Sequence, residues 1–515
     1  MSLIFLAAVL LIFYYLAILL DRKLDKNGKA PSPFKFPIIG HLHLMTKYPG
    51  ESWKAFNEIQ EKFGKIVELK LGVQKFLLVA DLDAVKEILL TNGKKFANRP
   101  YLKSVDRLAP GIENVSHLCS WSNSYKETRQ RIFFHTLTSS TSNGVRNRYY
   151  GIMARKHEYF LQSLSSGNKR ELCLKDLNFL IGSVFFEHLC GKSLMNDCGS
   201  FEQFLILQYK FHENSINGSV VDLFPILGRL EIFYKNTTGS IHQLINYLEH
   251  DGGLLERRDR LSQEYPSPRG ISRNQENPQE LEDCFSEDLI RCHFMDPASM
   301  SWRKCVLTVL GLLLNVPNVT NITMACLGYL SLDHEVQDEI RSEIKRKIPW
   351  NDDIISPDQS MKLVHTKAAM METLRLISSP YLPHSAIENT SLNGYRVEKG
   401  TNVLVNVQYI NHSPDLWESP LEFKPSRFLI PSEDGSSVQI RKPSFFLPYS
   451  LGCRSCPGFG MFEAQAFFIV ANLLRKFQLS TSYSHQEMQK RGLCNFSSMK
   501  QADFFSLNLI PLEDS

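Results

Sequence analysis

The sequence predicts a mostly α-helical protein with small β-sheets, built as one body behind a single N-terminal transmembrane anchor. Three observations carry this. The chain opens on an unbroken apolar run, Leu3 to Leu20. Long stretches of helical character dominate the rest of the chain. Strand-like patterns are confined to short regions, Lys65 to Ala80 and Gly394 to Val407.

The opening run, "LIFLAAVLLIFYYLAILL", carries no charge and just reaches the length of a membrane-spanning helix. A cleaved signal peptide would want a basic leader and a small-residue cleavage site, and neither is present. Arg22, Lys23, Lys26 and Lys29 come directly after it, diluted by Asp21 and Asp25. Positive flanks stay cytosolic. Residues 1–29 therefore read as a signal anchor with its flank, and residues 30–515 as the body. Ala30 to Met45 is a proline-bearing hinge that cannot continue a helix. Lys65 to Ala80 reads as two strands turning at Gly72-Val73. The apolar "VVDLFPILG", Val220 to Gly228, reads either as a segment that dips into the membrane or as ordinary core. Gly252 to Glu287 is polar and reads as a surface connector. Trp302 to Leu330 is helical by length and apolar throughout, with a kink expected at Pro317. "DHEVQDEIRSEIKRKI" is an exposed amphipathic helix rich in charge pairs. Short strands close the pattern around Tyr395–Val397 and Val403–Val405.

Bulk numbers narrow the function. A length of 515 residues would suggest about three domains, but no repeat or long low-complexity spacer cuts the chain. Hydrophobic residues at 43% and charged residues at 22% suit a globular enzyme. A net charge of +4 is too weak to argue for nucleic acid. The 11 cysteines are odd in number and scattered, which favours reduced thiols over a disulfide framework.

One stretch carries chemistry: "LPYSLGCRSCPGFG", Leu447 to Gly460. Tyr449, Gly452, Arg454, Cys456 and Gly458 fall at regular spacings, and a helical pattern begins directly after. Cys456 thus sits on a glycine-rich turn feeding a helix N-terminus, where backbone N–H groups favour a thiolate. A thiolate held this way is a good axial ligand for haem iron. The rival readings of C-x-x-C are a zinc site or a redox pair. Zinc would need a second pair of ligands, and a redox motif would end a βαβ strand.

The turn resembles the cysteine-ligand loop of the cytochromes P450, Phe-x-x-Gly-x-Arg-x-Cys-x-Gly, with Tyr449 in the place of Phe and Ser450 where a second Gly is common. The match puts Cys456, not Cys453, at the ligand position. "METLRL" supplies Glu372 and Arg375, and "FKPSRF" supplies Arg427, the three members of the Glu-Arg-Arg network that braces the loop in that family. The resemblance spans roughly residues 30 to 512 and is of the microsomal type. Among the P450s, "CSWSNSYKETRQR", "NVPNVTNIT", "YLPHSAIENTSLNGY" and "SPDLWESPLEFKPSRF" are similar to the spook group of the arthropod Halloween enzymes, which act early in ecdysteroid synthesis.

The resemblance implies haem b with Cys456 as metal ligand. It implies Trp121, Lys126 or Arg129, His384 and Arg454 around the propionates. It implies NADPH–cytochrome P450 reductase, membrane lipid and a lipophilic substrate, a sterol by the subgroup, as partners, and an endoplasmic-reticulum location with the body cytosolic. The sharpest departure lies in the long apolar helix. Where the family carries Ala-Gly-x-Asp/Glu-Thr, this chain has Leu314, Asn315, Val316, Pro317 and Asn318. The acid and threonine that normally manage proton delivery are absent. Asn318, which can donate and accept, and Thr320 nearby are the candidate catalytic residues. Asn318 has a second reading, as partner of the carbonyl freed at Pro317. Three functions stay open: a reductase-driven monooxygenase, a P450-type enzyme that rearranges or dehydrates a peroxide without reductase, and a haem protein that binds lipid without turnover.

Overall fold

The computed structural model describes residues 28–49, 51–102, 121–137, 143–166, 171–193, 198–216, 220–224, 226, 235–264, 284–349, 354–377, 381–435, 437–484, 487 and 506–512. The apolar run Leu3 to Leu20 lies outside them. In chain order, short helices aside, the elements are α1 (Ser52–Phe63), β1 (Ile66–Leu71), β2 (Gln74–Val79), α2 (Asn123–His135), α3 (Asn143–Ser166), β3 (Glu171–Leu172), α4 (Leu174–Cys190), α5 (Cys198–Ile216), α6 (Lys235–Glu249), α7 (Leu254–Glu264), α8 (Phe285–Met295), α9 (Trp302–Leu313), α10 (Val316–Leu332), α11 (His334–Lys347), α12 (Val364–Ile377), β4 (Tyr381–Ser385), β5 (Thr390–Leu392), β6 (Tyr395–Val397), β7 (Asn402–Asn406), β8 (Leu429–Pro431), β9 (Val438–Ile440), α13 (Phe459–Lys476), β10 (Phe477–Ser480) and β11 (Leu507–Pro511). The mostly helical expectation holds.

The chain divides into two compact units. The first takes residues up to Pro100 together with Tyr381–Asn406. Its four-stranded sheet runs β1-β2-β7-β4. β1 and β2 form the expected antiparallel hairpin, with Leu71 opposite Gln74 and Gly72 at φ +58° in the turn. A left-handed φ is cheap only for glycine, so the turn falls where the sequence places it. β7 joins β2 in parallel and β4 in antiparallel.

The second unit takes Tyr101–Pro380 and Val407–Ser515. Its core is helix on helix: α10 packs against α4, α12 and α13, and α3 against α4. Met324, Leu327, Leu330, Phe467, Phe468 and Leu474 are buried there. Trp302–Leu332 is apolar enough to cross a membrane, but 67% of its most apolar window is buried, which makes it the core helix of this unit. Polar side chains punctuate the helices. Ser301 caps α9 by accepting from the Lys304 N–H, and Asp333 caps α11 by accepting from that of Val336.

Two expectations are corrected. The polar segment after Gly252 is not all connector, since Leu254–Glu264 is helical. The long apolar helix is not kinked at Pro317 but broken before it. Leu314 and Asn315 turn the chain, and Pro317 occupies the first turn of α10. There its missing N–H is one of the first-turn groups that have no partner within α10 itself. In Val220 to Gly228, Val220–Leu223 is a short helix and Ile226 is 76% exposed. The five buried cysteines Cys190, Cys284, Cys292, Cys305 and Cys326 are free thiols, as are the other described cysteines.

Candidate functional site

Gly452–Arg454 forms a single helical turn before Cys456, and α13 begins three residues after it. The loop is held from both sides. The Cys456 N–H donates to the Tyr449 carbonyl at 2.8 Å. Tyr449 packs on Phe459 and Phe462 with ring centroids 5.5 and 5.9 Å away, so the change from Phe keeps the aromatic packing. Gly452 has φ +70°, and Ser450 has φ +58° without being glycine. From the front, the α2 end abuts α13: Thr136 Oγ1 donates to the Pro457 carbonyl at 2.5 Å. A Cβ on Gly460 would lie 2.2 Å from the Leu137 carbonyl oxygen, so only glycine fits.

Cys456 is exposed, yet surrounded by protein closely enough that burial is the largest influence on its thiol. Burial pushes the thiol above its ordinary range. Backbone hydrogen bonds from Gly458 and Phe459 and the nearby charge of Arg129 oppose that push. The N–H groups of the helix N-terminus thus point at the sulfur as the spacing suggested.

Five of the six expected cofactor residues share this region, Lys126 only through the Trp121 ring. The Arg454 guanidinium lies 5.1 Å from the Trp121 ring and 4.4 Å from the Tyr125 ring, the two aromatics being 5.8 Å apart. Arg129 is buried and donates to the Ser455 carbonyl, with its guanidinium 4.5 Å from the Phe133 ring. Lys126 is exposed. Its ammonium is 3.1 Å from Asn123 Oδ1 and 5.5 Å from the Trp121 ring. Of the pair offered by the sequence, Arg129 is the one on the cysteine loop. His384 belongs to the first unit, buried on β4, with Nδ1 2.9 Å from the Phe96 carbonyl.

The brace is complete. All five N–H groups of the fully buried Arg375 are used: Nε and Nη2 on Glu372 at 2.8 and 2.9 Å, Nη1 on the Asn411 and Pro420 carbonyls at 2.7 Å each, and Nη2 on that of Glu422 at 3.2 Å. Arg427 Nε joins at Glu372 Oε1, 2.9 Å away. Both guanidiniums lie over Trp417, at 5.2 and 5.9 Å. Paired and hydrogen-bonded in this way, the buried charges meet the cost of leaving water.

The two candidate catalytic residues part company. Thr320 is fully buried, its hydroxyl within 3.0 Å of the Val316 carbonyl and 3.1 Å of Asn178 Oδ1 on α4. Its one proton is spent in helix packing. Asn318 is on the partly accessible face of α10, with Nδ2 donating to Asn315 Oδ1 at 3.2 Å. The carbonyl freed by Pro317, that of Leu313, is taken not by Asn318 but by Gln208 Nε2 from α5, at 2.6 Å. Sequence reasoning missed Gln208, Asn315, Ser455 and Thr136. Of these only Asn315 had a signal, its place in the helix motif; the others act across more than a hundred residues.

An accessible cysteine at a helix N-terminus, with Arg129 on its loop and Arg454 clamped between aromatics, is a donor set that fits an anionic macrocycle held through sulfur. It defines the class of haem-thiolate proteins. The chain belongs to the cytochrome P450 family, whose model matches residues 30–504. Family members bind haem through a cysteine thiolate, and the chain is an oxidoreductase of that kind. It is 27% identical over 520 aligned residues to Cytochrome P450 307a1 of Drosophila melanogaster, a member of the spook group, covering 95% of this chain and 90% of the relative. It is 24% identical to the steroid 17-alpha-hydroxylase/17,20 lyase of Felis catus, covering 86% and 85%. It is 26% identical to psoralen synthase of Ammi majus, covering 90% and 88%.

Proposed function

We propose that the chain is a monooxygenase that oxidises a sterol in ecdysteroid synthesis, drawing electrons from NADPH–cytochrome P450 reductase. Residues 1–29 anchor it in the endoplasmic-reticulum membrane and residues 30–515 form the cytosolic body. The observation that carries the reading is the Cys456 turn: a sulfur at the start of α13, met by two backbone N–H groups, with Arg129 on its loop. Similarity to a spook-group relative and to a steroid hydroxylase supports the substrate class.

Cys456 would hold the iron, and Trp121, Arg129 and Arg454 would hold the propionates. When bound, haem supplies the oxygen-activating centre, and thiolate ligation favours O–O cleavage. The chain's own part is to place Arg454 and Arg129 as fixed cations, to aim the Gly458 and Phe459 N–H groups at the sulfur, and to offer Asn318 as a polar group on the partly accessible face of α10. Hydrogen-bond positioning of this kind contributes about 10²–10³-fold in other enzymes.

A second reading, a peroxide rearrangement or dehydration without reductase, is favoured by one observation: the hydroxyl of Thr320 is turned into packing and the motif holds no acid. Membranes carrying the protein, incubated with labelled sterols with and without reductase and NADPH, separate the two. Oxidised sterol formed only with reductase supports the monooxygenase. Turnover driven by an added organic peroxide, indifferent to reductase, gives the second reading its place.

A further inference from the structure

Among the backbone carbonyls that lose their helical donors at the break between α9 and α10, side-chain amides recover two. The Asn315 N–H bonds the Leu312 carbonyl at 3.1 Å, so the Gly311 carbonyl loses its helical donor. The Leu313 carbonyl would be served by residue 317, a proline with no N–H. Asn315 Nδ2 donates to the Gly311 carbonyl at 2.7 Å. Gln208 Nε2, on a fully buried side chain, donates to that of Leu313 at 2.6 Å.

The first of these bonds sets the sense of a second amide. A carbonyl only accepts, so Asn315 turns its NH2 to Gly311 and its Oδ1 away. That oxygen only accepts in turn, and Asn318 Nδ2 donates to it at 3.2 Å. Reversing either amide would set oxygen against oxygen. Asn318 is thereby held with Oδ1 pointing out of the ladder. This oxygen is buried and has no hydrogen-bond partner among the described residues, and the same is true of Asn321 Oδ1 one turn on. From Val316 to Ser331, Asn318 and Asn321 are the residues that escape full burial.

We propose that Asn315 is a positioning residue that fixes Asn318 as an acceptor-only group, so that the helix break takes an O–H donor, a water or a substrate hydroxyl. The ladder starts at a backbone carbonyl and has one sense. It replaces the acid and hydroxyl of the family motif with an acceptor that cannot turn. The inference rests on the monooxygenase reading above. That reading is tested separately by the wild type's CO-difference spectrum and reductase dependence.

The test uses the haem-loaded full chain in membranes, with Asn315→Leu, Asn315→Asp and Asn318→Leu. Aspartate keeps an acceptor facing Asn318 Nδ2 and, as the protonated acid, still donates to the Gly311 carbonyl, so the variant is read at a pH where that carboxyl is protonated and there should preserve the orientation; leucine removes both bonds. The readouts are the spin state of the substrate-free ferric protein and spectral titration with a hydroxysterol and its deoxy counterpart. If the donor is a substrate hydroxyl, Asn315→Leu and Asn318→Leu should both lose about tenfold in preference for the hydroxysterol. If it is water, both should bind the two sterols as the wild type does while the low-spin fraction falls. In either case Asn315→Asp should stay near wild type. Asn315→Leu indistinguishable from wild type in both readouts, or Asn315→Asp as impaired as Asn315→Leu, would overturn the proposal. Should Asn315→Leu fail to retain haem, Asn315→Ala poses the same question without added bulk.

Discussion

The turn before Cys456 contains its own strain gauge. Ser450 holds φ +58°, a region that costs a side-chain-bearing residue roughly 1 kcal/mol or more. Ser450→Gly should therefore raise the thermal midpoint of the haem-loaded protein and leave its CO-difference spectrum in place; a lower midpoint would contradict this. Gly460 works in the opposite sense. A methyl there meets backbone at 2.2 Å, which cannot move aside as a flexible side chain would. Gly460→Ala should cost about 1–3 kcal/mol and loosen haem retention, as read by thermal unfolding and by haem transfer to an apoprotein acceptor. Between the two cysteines, Cys456→Ser should abolish the red-shifted CO band and Cys453→Ser should keep it. Loss of the band in the Cys453 variant alone would reverse the ligand assignment.

At the scale of elements, α12 depends on a carboxylate from another helix. The Glu343 oxygens on α11 accept from the Val364 and His365 N–H groups at 2.9 and 2.8 Å, which caps the α12 N-terminus. Burial pushes this carboxyl up. Bonds from His365, Lys347 and the two N–H groups outweigh it and hold the pKa near 2, against an ordinary 4.5. The folded value lies below the unfolded one, so the contribution is fully present above about 4.5 and is lost as pH falls toward about 2. Glu343→Gln should cost about 0.5–2 kcal/mol at neutral pH, with the deficit shrinking on acidification. Urea midpoints of both proteins from pH 7 to pH 3 check this; a deficit that does not change with pH would contradict it. α12 also carries the brace. Arg375→Leu would leave Glu372 charged and buried with only Arg427 as counter-ion, and should cost about 3–5 kcal/mol. It should be recovered largely as haem-free protein in pyridine haemochrome assays.

For the whole molecule, the body from Gly28 onward supplies two cored units by itself. Removing residues 1–29 should leave a haem domain that folds. Residual membrane association is expected through Val220–Gly228, where Ile226 stands 76% exposed. Vesicle flotation of the truncated protein, with and without Ile226→Asp, measures this. A truncated protein wholly free of membranes would exclude that second contact.

The sequence by itself determined what depends on local spacing. Cys456, Gly452 and Arg454 lie within one turn, Glu372 and Arg375 three apart on one helix, and Gly72 at a hairpin, so period and turn chemistry mark them without any knowledge of distant neighbours. The tertiary structure decided what depends on partners remote in the chain. Lys126 and Arg129 are both candidates from the sequence, and only the packing of α2 on the Ser455 loop separates them. Asn318 and Thr320 are two residues apart, which on a helix turns them to different faces, and only the position of α4 shows that Thr320 faces Asn178. Pro317 announced a disturbance, but the orphaned Leu313 carbonyl finds its donor in Gln208, 105 residues upstream in sequence. A buried hydrogen bond to a backbone atom leaves no periodicity in the chain, because its cost is set by burial, and burial is a property of the folded state.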